Sequence, residues 1–117
     1  MAQLNWVHCE GGYCNLESLN LDHPHFNGRE GVYVIWRGGQ NPAVVRLGQG
    51  VIKDRIGKHR LDSKILQHKG TDRLYVTWAE TTAGLRDGIE KFLANTLRPI
   101  VGDAFPLAQP ITVNLPW

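Results

Sequence analysis

The chain has little cysteine, no long apolar run and almost no net charge. Two cysteines, Cys9 and Cys14, in 117 residues are too few for a disulfide scaffold. With 42% hydrophobic residues the chain can build a core without such staples. No stretch approaches the roughly 18 consecutive apolar residues of a membrane span, so no membrane partner is expected. The N-terminus, MAQLNWVHCEGG, lacks both a basic region and a long apolar core, which gives no indication of secretion. A cytoplasmic location with reduced thiols is the matching expectation. Internal repeats and low-complexity tracts are also missing, and 21% charged residues is the balance of one ordered domain.

The formal charge of +2 hides an uneven distribution. Residues 1–30 carry Arg29 against Glu10, Glu17, Asp22 and Glu30, a balance of −3. Residues 31–73 carry nine Lys and Arg against Asp54, Asp62 and Asp72, a balance of +6, and residues 74–117 return to −1. A basic middle third is the footprint of a phosphate-bearing partner, since cations that neutralise phosphates gain from counterion release. A solvated helix face is the alternative reading of the same charges.

Residues 1–30 mix Gly, Asn, His and Pro with scattered apolar residues and read as an irregular layer on the domain. GVYVIW (31–36), the turn cluster GGQNP and AVVRLG (43–48) predict a β-hairpin with a loop of about five residues. Ile52, Ile56 and His59 then fall at helical spacing, predicting a helix over about 51–61. A second short helix is predicted over 62–69, with Asp62 as N-cap and Gly70 as its left-handed end. RLYVTWAE (73–80) reads as a third strand. After a Thr81-Thr82 cap signal, Leu85, Ile89, Phe92 and Leu93 form one apolar arc with Glu90 at its border, on a helix stopped at Arg98 by Pro99. The Pro-rich tail is expected to run extended, with ITVNL (111–115) as a candidate edge strand. The fold class is therefore α/β (α+β), a small, mainly antiparallel three-stranded sheet flanked by helices.

Cys9, Cys14, His23 and His25 compose a Cys₂His₂ zinc set on paper. C-x₄-C lies at the loose end of zinc spacing and His-x-His is tighter than in usual fingers, so reduced, metal-free packing is the expectation for this group.

A strand with Gly31-Val32-Tyr33, a second strand ending in Arg46-Leu47-Gly48, a helix carrying Arg55 and His59, and a late helix with Glu90 ahead of Pro99 follow one another in the order of a known nuclease superfamily. Over residues 31–103 the chain resembles the GIY-YIG nucleases, with 1–30 as an added layer and 104–117 as a tail. The resemblance implies divalent-metal-dependent endonucleolytic cleavage of DNA. Tyr33 would act on the attacking water, Arg55 would hold the phosphate, His59 would shape the site and relay a proton, and Glu90 would bind Mg²⁺ or Mn²⁺. Two positions depart from the family pattern: Arg46 stands where the second Tyr is usual, and Gly102, followed by Asp103, where an Asn is usual.

Each of these residues has a plainer reading. Glu90 can form a surface pair with Arg86 one turn before it, His59 can be a half-buried structural residue, and Tyr33 a core tyrosine. Arg46 cannot serve as a base, because a guanidinium keeps its proton, but it can add a phosphate contact. Arg46, Lys53, Lys58, Arg60, Lys64 and Lys69 are the expected contacts to a DNA or RNA backbone, giving affinity with little sequence specificity. Specificity would then come from substrate shape or from a protein partner. The runner-up function is a catalytically weak or inactive module of the same fold that binds nucleic acid or protein. A weaker third reading is a structural adaptor engaging a partner through the N-terminal layer and the Trp-ended tail.

Overall fold

The computed structural model describes residues 3–102 and 105–117. Its centre is the expected hairpin: β2 (Glu30–Arg37) and β3 (Ala43–Val51) pair antiparallel across a five-residue connection, 38–42. β4 (Leu74–Glu80) pairs antiparallel with the other side of β2, and a two-residue strand, β1 (Cys14–Asn15), pairs with β4. The sheet therefore has four strands in the order β1-β4-β2-β3 rather than the expected three. The extra strand comes from the N-terminal layer, whose segment 1–30 was expected to be irregular.

Alternation along β2 decides which layer each residue meets. Tyr33 and Ile35 face the N-terminal layer and α1 (Ile52–His59), in a core with Leu16, Phe26, Ile52, Ile56 and Trp78. Val32, Val34 and Trp36 face α3 (Ala83–Leu97), in a second core with Leu47, Ile89 and Leu93. Burying Ile52 and Ile56 completely stabilises the α1 packing by about 1.5–3 kcal/mol each. Gly48 lies opposite Tyr33 and Arg46 opposite Ile35, and a bulge between Ile35 and Trp36 then shifts the register to pair Trp36 with Val44.

The helices follow the predicted pattern with shorter limits. α1 spans eight residues and buries Ile52, Ile56 and His59 on one face. α2 (Ser63–Leu66) keeps Asp62 as its N-cap, with the carboxylate accepting from the Lys64 amide at 2.9 Å, but it ends four residues before Gly70, which does hold φ +62°. Arg98 closes α3 in the left-handed region ahead of Pro99. The Thr81-Thr82 cap is different from expectation: Thr82 makes no side-chain cap, and the Thr81 hydroxyl donates to the Ala79 carbonyl. Leu85 leaves the predicted apolar arc and stays exposed, while the C-terminal tail meets the helix from Gly88 onward, through the Ile111 amide on the Gly88 carbonyl and the packing of Val113 with Ile89 and Leu93.

The tail runs extended, yet ITVNL forms no strand and holds only an isolated bridge position at Val113. Asn114 instead clasps the N-terminal segment, exchanging hydrogen bonds with the Leu4 backbone and accepting the Trp6 indole N–H at its carbonyl. Asp103 and the 103/104 boundary lie outside the described residues.

Cys9 and Cys14 are joined in a disulfide, which overturns the expectation of free thiols. Gly11 and Gly12, at φ +82° and +145°, reverse the chain between them, and a Cys9–Gly12 bridge brings the two Cα atoms to 4.9 Å. No described helix is long and apolar enough to cross a membrane.

Candidate functional site

β3 brings two side chains together by leaving out a third. Gly48 faces Tyr33 across the ladder, and a Cβ on Gly48 would lie 2.6 Å from the phenolic oxygen. The missing side chain lets the phenol lie over the strand and reach α1, where its oxygen stands 2.5 Å from Nε2 of His59. Both groups are buried, at 1% and 7% exposure. Arg46, on the same sheet face, lies against the phenol. Gly50, at φ +135°, leaves the space taken by the Arg55 guanidinium, whose Nε would be 2.8 Å from a Cβ there.

Glu90 arrives from the other face. α3 presents its carboxylate toward β3 beside Gln49, whose register partner Val32 belongs to the α3-side core. β3 is the outer strand on the β2 side of the sheet. The Arg46 and Arg55 guanidiniums act electrostatically on Tyr33, His59 and Glu90 alike. The two guanidiniums thus act on three groups that burial makes costly to charge.

Burial dominates their protonation. It raises the Tyr33 phenol above its ordinary range, against the lowering effect of Arg46 and Arg55. Burial, reinforced by the same two arginines, pushes His59 down to about 4, so the imidazole is neutral at pH 7. Burial also raises Glu90, with Asp87 adding to the shift and a hydrogen bond from Gln49, Arg46 and Arg55 opposing it. A protonated phenol beside a neutral imidazole can donate to the ring nitrogen when the imidazole proton sits on Nδ1.

The surface-pair reading of Glu90 does not hold. Arg86 donates to the Thr81 carbonyl at 3.0 Å and lies 3.3 Å from Glu30, while Glu90 is only 8% exposed. The core readings of Tyr33 and His59 hold as descriptions of burial, and the polar ends of both still converge on the arginines.

The six expected backbone contacts separate into groups. Arg60 is committed to the N-terminal layer, donating to the Leu19 carbonyl at 2.7 Å, and Lys69 pairs with Glu17 at 2.7 Å. Lys53 stands 3.7 Å from Asp22 on an exposed surface. Lys58 and Arg55 line one cleft with Asp54 and Val51, of about 270 Å³. Arg46 and Lys64 border a second, polar cleft of about 480 Å³, alongside His59, Gln67, His68 and Gly102. The footprint is therefore narrower than the +6 segment suggests, because charge counts do not reveal which cations already have protein partners.

Three contributors were not singled out from sequence. Gln49 bridges the site to α3, donating to Asp87 at 2.7 Å as well as to Glu90. Gly50 and Asp87 complete the surroundings of Arg55 and Glu90; a glycine inside a strand was the available signal for the first. His23 and His25 serve structure: His23 Nδ1 caps the Pro24–Phe26 turn at the His25 amide, and His25 Nε2 accepts the Trp78 indole N–H at 3.0 Å. With both sulfurs in a disulfide, the paper zinc set has no thiolates to offer.

Among the described residues, no group of three or more His, Cys, Asp or Glu side chains is arranged to hold a metal ion. Glu90, with Asp87 nearby, is a desolvated carboxylate whose negative charge is only partly offset, which suits a hard cation bound through one or two carboxylates and water. Comparison with known proteins gives no match: no family model, no curated protein and no solved structure aligns with the chain.

Proposed function

We propose that this domain binds nucleic acid through backbone phosphates and hydrolyses a phosphodiester bond with the help of one divalent cation, as the GIY-YIG nucleases it resembles do. The observation that carries this reading is the contact of the Tyr33 hydroxyl with His59 Nε2 at 2.5 Å, beside two arginines that also act on Glu90. An acceptor for a proton, two fixed positive charges and a desolvated carboxylate are the parts that phosphodiester hydrolysis needs.

The roles divide by chemistry. Neutral His59 draws on the phenolic proton, which prepares Tyr33 to accept a proton from water in turn. Arg55, exposed at the end of its helix face, supplies a planar fork for phosphate oxygens. Arg46 adds fixed positive charge where a second phenol would otherwise stand. Glu90 would hold Mg²⁺ or Mn²⁺, which when bound supplies Lewis acidity and water of lowered pKa. Lys58 and Lys64 extend the phosphate contacts on either side.

One observation favours the second reading, a module that binds without cutting: Tyr33 is only 1% exposed and its hydroxyl is taken up by His59. Incubating the protein with linear, nicked, flapped and branched DNA, and with RNA, in Mg²⁺ and in Mn²⁺ decides between the two. Metal-dependent cleavage of any of them supports the nuclease; salt-sensitive binding without cleavage supports the module.

A further inference from the structure

The polar cleft beside His59 has a wall built to approach a guanidinium. Residues 100 and 101 are tied to β3 by the Ile100 amide on the Val44 carbonyl at 3.1 Å and the Val101 amide on the Val45 carbonyl at 2.8 Å. The next residue, Gly102, holds φ +123° and passes so close to Arg46 that a Cβ would lie 2.8 Å from Nη1. Arg46 is thereby approached closely, and its Nε is buried with no hydrogen-bond partner among the described residues. Arg46 lines the cleft, and a guanidinium there offers an anion fixed positive charge and N–H donors.

The rest of the lining matches an anion. Lys64 is exposed and has no ion-pair partner among the described residues, and Gln67 and His68 line the same cleft. Among the described residues the one acid on the wall is Asp62, which is engaged in capping the Lys64 amide. Two cations with several further donors suit a phosphate monoester, whose charge of about −1.5 to −2 exceeds the single charge of a diester. At about 480 Å³ the cleft also leaves room for the sugar that carries such a phosphate.

We infer that this cleft binds a terminal phosphate monoester of a nucleic acid strand, with Arg46, Lys64 and His68 as its contacts, and so selects substrates with phosphorylated ends. The phosphate part of this inference stands on the cleft alone; the polymer attached to it rests on the nucleic-acid reading above.

The test is a binding titration of the full chain with four probes at one salt concentration: a DNA strand with a 5′-phosphate, the same strand with a 5′-hydroxyl, the strand with a 3′-phosphate, and inorganic phosphate. The inference expects a phosphorylated end to tighten binding about tenfold, the worth of a charge-assisted hydrogen bond or two. The preference should disappear in Lys64→Gln and in His68→Ala; Lys64 is exposed, so its variant keeps the fold. Equal binding of phosphorylated and hydroxyl ends overturns the inference. Inorganic phosphate that binds while the ends make no difference leaves a small-molecule phosphate site and overturns the strand assignment. A covalently closed circular duplex, which has no ends, separates this inference from the nuclease reading. A circle that is cut without any end preference defeats only the cleft. An end preference with no cleavage of any substrate defeats only the nuclease.

Discussion

The hydroxyl of Tyr33 and Nε2 of His59 stand 2.5 Å apart inside the protein, joined by a hydrogen bond between two buried groups. The site's behaviour towards pH and substitution follows from that pair.

Acid should weaken the fold through His59. Its pKa is about 4 in the folded chain against 6.5 for an ordinary histidine, so the unfolded chain binds the extra proton between those values. Stability from this group is complete above pH 6.5 and is lost as pH falls to about 4. The loss amounts to about 3 kcal/mol. Glu90 works in the opposite sense, since its raised pKa favours the folded state on the acid side of its titration and that contribution fades as pH rises. Denaturant titrations from pH 7 to pH 4 should show falling stability, and His59→Gln should flatten the slope. An unchanged slope in the variant contradicts the assignment.

Arg46 lowers the His59 pKa across the rim of the sheet. Replacing it by Gln should move the His59 titration upward toward 6.5, read from the imidazole proton signals. No movement would place the guanidinium away from the pair.

Gly48→Ala should disturb the same pair from the opposite strand. The new methyl would lie 2.6 Å from the phenolic oxygen and 3.0 Å from its ring carbon, and a buried ring has little room to retreat. A stability loss of about 1–3 kcal/mol is expected, together with loss of the hydrogen-bonded state of His59. A neutral outcome in thermal melts would show that Tyr33 does not need the space.

Much of this arrangement is legible in the sequence where the signal is local. The β-branched run 31–36 and the spacing of Ile52, Ile56 and His59 specify their elements without help. β1 has no such signal: its two residues pair with Val76 and Tyr75, about sixty positions away. The disulfide was hidden for a related reason, because C-x₄-C resembles nothing until Gly11 and Gly12 turn the chain. The candidate site residues come from the resemblance, and the burial of Tyr33 agrees with its plain reading as a core tyrosine. Glu90 reads as a border group and lies almost wholly inside, and Arg60 and Lys69 read as free cations and hold the N-terminal layer.

The disulfide carries its own expectation. Protein prepared without reductant should have an intact mass lighter than the reduced chain by the two thiol hydrogens, and no thiol titratable in denaturant. Reduction should cost about 2 kcal/mol, the small value appropriate to a short loop. Two free thiols in unreduced protein would restore the original expectation.

Glu90→Gln tests the nuclease reading most directly. The substitution keeps the size, removes a charge that burial already disfavours, and leaves the Ile89 and Leu93 packing untouched, so the melting temperature should change little. Cleavage of a substrate that the wild type cuts in Mg²⁺ should disappear, while binding of that substrate persists or tightens because a negative charge facing phosphate is gone. A Glu90→Gln protein that cuts as fast as the wild type contradicts the assignment of the site.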